Sequence, residues 1–145
     1  MEPVYTLDQY RWLYLTSHLA LISSTYAFFV GYPILSFVQF SIFMTSINYW
    51  RLPDYSWRRY LDMAVVKTLV FYQNIYLAWD SEHAIVFWWI FGLGSLTYPI
   101  GFYVHSKGYR WLSMYLHAIM HILSCVDSIY LYTGSIPRAN SLLIS

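Results

Sequence analysis

Five apolar runs of near-membrane length, parted by turns of only a few polar residues, constrain this chain more than any other feature in it. About 20 residues of helix cross the hydrocarbon core of a bilayer. The first run extends from about Gln9 to Val30, with Asp8 placed to cap it. Gly31, Tyr32 and Pro33 interrupt the apolar pattern, and the second run covers 33–50. A charged turn containing Pro53 leads into the third, 57–79. Ser81 can cap the fourth, 82–104, and the turn around Lys107 and Gly108 opens the fifth, 109–132. Gly134 stops the last run, and 133–145 read as a polar tail. The expectation is an all-α, polytopic membrane protein formed by one domain.

Composition supports a lipid solvent. Of 145 residues, 59% are hydrophobic and only 10% charged, against roughly 25% charged in ordinary globular domains. A water-soluble fold of this size has too little interior for so much apolar surface. The net charge of +1 provides no basic field, which argues against a nucleic-acid partner. A single cysteine, Cys125, excludes an internal disulfide. The amino end lacks the basic region and cleavage site of a secretory leader, so no cleaved leader is expected, and the carboxyl end has no lipidation box. Phosphate-cradling glycine loops, cysteine clusters, nucleophile elbows and inverted repeats are not visible in the sequence.

Runs this long and continuous satisfy their backbones as helices, not as barrel strands. Short turns make successive helices antiparallel neighbours. Pro99, together with Gly92, Gly94 and Gly101, is expected to kink or thin the fourth helix and let another backbone approach. Arg11, Arg51, Arg58, Arg59, Lys107 and Arg110 fall on one side, and only Arg138 on the other. That asymmetry places the amino terminus inside and the carboxyl terminus outside. Trp12, Trp50, Trp57, Trp79 and Trp111 at the ends of runs suit interfacial belts.

Ionisable groups inside such runs are costly and call for partners. They are His18, Asp62, Lys67, His117, His121 and Asp127. At a rise of 1.5 Å per residue, His18, Ser46, Asp62 and His117 all lie within roughly 6–14 Å of the inner surface. Four helices thus contribute a polar group to one layer. Gln39, Phe43, Ser46 and Trp50 form one stripe of the second helix, and His117, His121, Ser124 and Ser128 continue along the fifth. Two imidazoles four residues apart can hold one zinc ion from a single helix, with a third ligand supplied by another. Zinc would then make hydroxide available near neutral pH, a serine could stabilise an oxyanion, and a carboxylate could orient the water.

Three fragments, Ser46–Trp50 (SINYW), the residues around Asp62 (RYLDM) and those around His117 and His121 (LHAIMHILS), together resemble the CREST superfamily. That group includes alkaline ceramidases and adiponectin-receptor-like proteins, seven-span intramembrane hydrolases or presumed hydrolases. The resemblance implies a catalytic serine at Ser46, a catalytic aspartate at Asp62, and zinc ligation by His117 and His121. The chain departs from the pattern in two ways. Trp50 stands where the first zinc histidine belongs, leaving His18, or else His105, to replace it, and there are five runs instead of seven. Removing two spans between the aspartate and the last histidines preserves their sidedness. The resemblance therefore implies a zinc-dependent hydrolase of a lipid amide or ester, fed laterally from the bilayer.

The residues equally permit a non-catalytic membrane subunit that assembles with other membrane proteins, its histidines bonded across helices to Ser or Tyr. On that view Ser46 bonds to a carbonyl of its own helix, Asp62 pairs with Arg58 or Arg59, and Lys67 snorkels or pairs with Asp62. His83 and His105 are expected to be solvated turn residues. Asp127 points away from the histidine face, with a tyrosine hydroxyl as its expected neighbour.

Overall fold

The structure, a computed structural model, describes residues 5–141. The described part is helical and contains no strand. The last four residues of the expected tail, 142–145, lie outside it. In chain order the helices are α1 (Leu7–Ser17), α2 (Leu19–Phe29), α3 (Pro33–Trp50), α4 (Trp57–Phe71), α5 (Ala84–Ser106), α6 (Arg110–Tyr132) and α7 (Pro137–Ser141). A π-helical segment, Tyr72–Leu77, extends α4.

The first apolar run is therefore two helices of 11 residues, divided at His18. Side chains explain the break. The Ser17 hydroxyl donates to the Leu13 carbonyl at 2.8 Å, the Thr16 hydroxyl lies 3.2 Å from the same oxygen, and His18 Nδ1 donates to the Tyr14 carbonyl at 2.9 Å. Side-chain donors of this kind compete for helical carbonyls and bend helices. The ladder tightens accordingly, with the His18 amide reaching Leu15 at 3.1 Å.

Pro33 opens α3 at its first position, where its missing N–H costs nothing. Gly31 and Gly108 adopt φ +88° in the turns before α3 and α6, a conformation that glycine enters without a steric penalty. The turn before α5 is tightened by Ser81, whose hydroxyl accepts the His83 amide at 3.2 Å. α5 runs through Pro99 as one element. Gly94 and Gly101 meet α6 beside Leu123 and Leu116, but a methyl group on either would stand 3.4 and 3.6 Å from those Cβ atoms, an ordinary contact. Gly92 faces open space. The expected glycine-dependent approach is thus a plain van der Waals contact.

Two buried clusters hold the fold. One joins Tyr5, Leu13, Tyr49, Trp50 and Met114. The other, at the opposite ends of the same helices, gathers Tyr32, Leu35, Leu77, Phe87 and Leu131 with Ile136 and Ala139. The last two residues show that the tail folds back. The Tyr32 hydroxyl donates to the Gly134 carbonyl at 2.8 Å and accepts the Ile136 amide at 3.2 Å. Arg138 donates to the Tyr76 carbonyl at 2.8 Å and pairs with Asp80 at 3.2 Å.

The outer surface is apolar. Phe29, Ile85, Trp89 and Phe102 are each more than 70% exposed. α5 and α6 are long and apolar enough to cross a membrane. Only 17% and 28% of their most apolar windows are buried, whereas the core helix of a soluble protein is mostly buried.

Candidate functional site

The site is built on one face of α3. Gln39, Phe43, Ser46 and Trp50 are all buried, at the steps of four, three and four that align side chains along a helix. Ser46 Oγ donates to Asp62 Oδ1 at 2.8 Å. Asp62 is the one buried residue of α4. A hydroxyl has a single hydrogen, so Ser46 does not bond to its own helix. Nor does Asp62 pair with arginine: Arg58 turns back to Asp54 at 2.9 Å. The Ser56 hydroxyl, and after it the Arg58 guanidinium, hold the Asp54 carboxyl below the usual carboxylate range. Lys67 is exposed and is not joined to Asp62.

On α6, the rings of His117 and His121 lie 4.9 Å apart and almost perpendicular, at 86°. His121 Nδ1 is 2.9 Å from Thr16 Oγ1. Thr16 Oγ1 also lies 3.2 Å from the Leu13 carbonyl, so the His121 tautomer sets which of the two groups donates in this pair. His117 makes ring contacts only, edge-on with Trp50 at 5.0 Å and with Tyr98 at 6.2 Å. No hydrogen bond reaches it among the described residues. His18 packs on Tyr14 at 5.1 Å and on Phe43 at 5.4 Å. Its Nδ1–H is committed to the Tyr14 carbonyl, so its Nε2 carries no hydrogen in the neutral ring.

Two pairs are thus brought together, Ser46 with Asp62 and His117 with His121. The α3 stripe ties them: Ser46 stands between Phe43, which touches His18, and Trp50, which touches His117. His18 makes its ring contacts with Tyr14 and Phe43, and none with the α6 pair among the described residues. Among the described residues no three His, Cys, Asp or Glu side chains are grouped to hold a metal ion. The place expected for a third imidazole holds an indole, whose N–H is a donor only.

A second polar group lies further along the same helices. Gln39 Nε2 donates to Gln73 Oε1 at 2.9 Å and to Ser128 Oγ at 3.2 Å. Gln73 Nε2 also donates to Ser128 Oγ at 3.2 Å, and the Tyr132 hydroxyl to Gln73 Oε1 at 2.7 Å. Ser128 in turn donates to Asp127 Oδ1 at 3.2 Å. All five side chains are buried. The partner of Asp127 is therefore its chain neighbour, not a tyrosine, while Ser124 of the expected stripe is exposed. Gln73 sits in the π-helical segment, where the Ala78 amide bonds to the Gln73 carbonyl at 2.9 Å. The pair Gln73-Asn74 within an apolar run was the available sequence signal; the wide turn that aims it inward was not.

The remaining histidines are not free in solvent. His83 is half-buried, with Nδ1 donating to the Tyr130 carbonyl at 3.1 Å and Nε2 3.5 Å from Glu82. His105 stacks edge-on against Tyr5 at 5.4 Å, and its Nε2 is buried without a partner among the described residues. Comparisons with known protein families, curated proteins and solved structures give no match for this chain.

Proposed function

We propose that this chain is a five-pass integral membrane protein with its amino end inside, and that it serves as a non-catalytic assembly subunit built on a CREST-like scaffold. The apolar, exposed surface supports the lipid setting. Contact registers support passes of alternating direction. Ser46 with Asp62 and Gln39 with Gln73 run in opposite senses along α3 and the third pass. Gly94 with Leu123 and Gly101 with Leu116 do the same along α5 and α6. Tyr5 with Ser113, Thr16 with His121 and Ser23 with Cys125 rise together, as the first and last of five alternating passes must.

The observation that carries the non-catalytic reading is the edge of Trp50 on His117 at 5.0 Å. A CREST-type site needs a lone pair there; an indole supplies packing instead. Metal analysis of the purified protein tests this. The expected result is no stoichiometric zinc and a fold unaffected by chelators. About one zinc per chain, lost in a His117→Ala/His121→Ala variant, would contradict it.

A zinc-dependent hydrolase of lipid amides or esters is the second reading, favoured by the Ser46–Asp62 hydrogen bond. A groove of about 540 Å³, lined by Thr45, Ile47 and Leu61 (chain neighbours of that pair) with Tyr14, Asn48 and Arg51, offers room for a lipid chain and headgroup. His117 and His121, with His18 drawn in as third ligand, would hold the metal, which would supply hydroxide and Lewis acidity. Release of fatty acid from ester or amide lipids in vesicles, abolished by Asp62→Asn, would favour this reading.

A further inference from the structure

Lys67 occupies the midpoint of the helical run from Trp57 to Leu77, ten residues from either end. At 1.5 Å per residue that is about 15 Å from each. Its side chain is exposed, and no carboxylate lies within ion-pair distance of it among the described residues. A four-carbon stem cannot carry the ammonium group to either end of such a helix. In a five-pass protein this charge would face acyl chains, a position that membrane proteins tolerate only with a partner or with water.

The surrounding surface has the form of a helix-docking stripe. Tyr60, Ala64, Lys67, Phe71 and Ile75 follow one another at helical steps of three and four, and every one is exposed. Asp62 is the one buried residue among the 15 of α4. One charge at the centre of an apolar stripe fixes both the sign and the depth of what can cover it.

We propose that the stripe from Tyr60 to Ile75 docks a transmembrane helix of another protein that carries an Asp or Glu at mid-depth, paired with Lys67. Among the described residues, a second copy of this chain has no free carboxylate at that depth. Asp62 and Asp127 are buried, Asp54 is paired with Arg58, and Asp8, Asp80 and Glu82 sit at helix ends. The inference rests on the membrane reading and names the kind of partner that an assembly subunit would bind.

The test uses the full chain in phosphatidylcholine vesicles, with dansyl-labelled polyleucine transmembrane peptides as probes. One peptide carries a single central Asp and the other Leu throughout. Energy transfer from the tryptophans of the chain reports association. The Asp peptide should associate about tenfold more tightly than the Leu peptide, and Lys67→Met should abolish the difference. Lys67→Asp should bind instead a peptide with a central Lys, a rescue that a merely structural role for Lys67 would not give. A chain that floats with the vesicles but binds both peptides equally overturns the docking face alone. A chain that does not float with them overturns the membrane reading, and the docking face with it.

Discussion

α6 carries two polar regions three turns apart, and they are made differently. Around Ser128, two glutamines, a serine and a tyrosine from α3, the π-helical segment and α6 form a closed set of hydrogen bonds. Around His117 the polar groups come as separate pairs under aromatic lids, and His117 has rings for neighbours and no hydrogen bond. A closed network fixes register, because each member loses several partners if a helix slides. Paired groups with spare lone pairs fix less and leave chemical capacity. The first region is a clasp. The second has the residue types of a site without the closure of one.

Four substitutions break or sharpen that contrast. Gln73→Leu should cost most, about 3 kcal/mol of unfolding free energy, because it removes three buried hydrogen bonds at once, those to Gln39, Ser128 and Tyr132, and leaves the Tyr132 hydroxyl unpaired. Reversible unfolding in mixed micelles reads it, and a cost below that of any change around Ser46 would remove the distinction between the two regions. Trp50→His should cost about 2 kcal/mol in lost packing while adding the missing imidazole. Zinc should then stabilise this variant and not the parent, and the effect should vanish with His117→Ala. Thermal shift with and without zinc measures both. Ser46→Ala removes one interhelical bond and should cost about 1 kcal/mol.

The smallest effect is expected at Asp54→Asn in the α3–α4 turn. Folding depresses the affinity of Asp54 for its proton, through the Ser56 hydroxyl first and Arg58 after it. A depressed carboxylate stabilises the fold above its unfolded pKa and loses that contribution as pH falls through the folded value. Parent and variant should therefore differ slightly in melting temperature near neutral pH and converge in acid.

Much of the helical content was legible because apolar runs and turn residues are local signals. The stripe of Gln39, Phe43, Ser46 and Trp50 was legible for the same reason: helical spacing sets which side chains share a face. What escaped depends on partners distant in sequence. The break at His18 arises where three neighbouring side chains compete for two carbonyls. The π-helical turn places Gln73 against Gln39, Ser128 and Tyr132, which are 34, 55 and 59 residues away in the sequence. The tail reads as polar, yet Ile136 and Ala139 are buried once Tyr32 grips the backbone on either side of Ser135. Arg58 had carboxylates four residues away in both directions. It takes Asp54 because Asp62 faces α3.

In the proposed arrangement lipid surrounds this helical chain, and its passes alternate across that lipid. Single-cysteine labelling in sealed, oriented vesicles tests this directly, with Cys125 replaced by Ala and cysteines introduced at Val30, Leu52, Glu82 or Lys107. An impermeant maleimide should reach Leu52→Cys and Lys107→Cys only from the inner side, and Val30→Cys and Glu82→Cys only from the outer side. Labelling of all four positions from one face would contradict it.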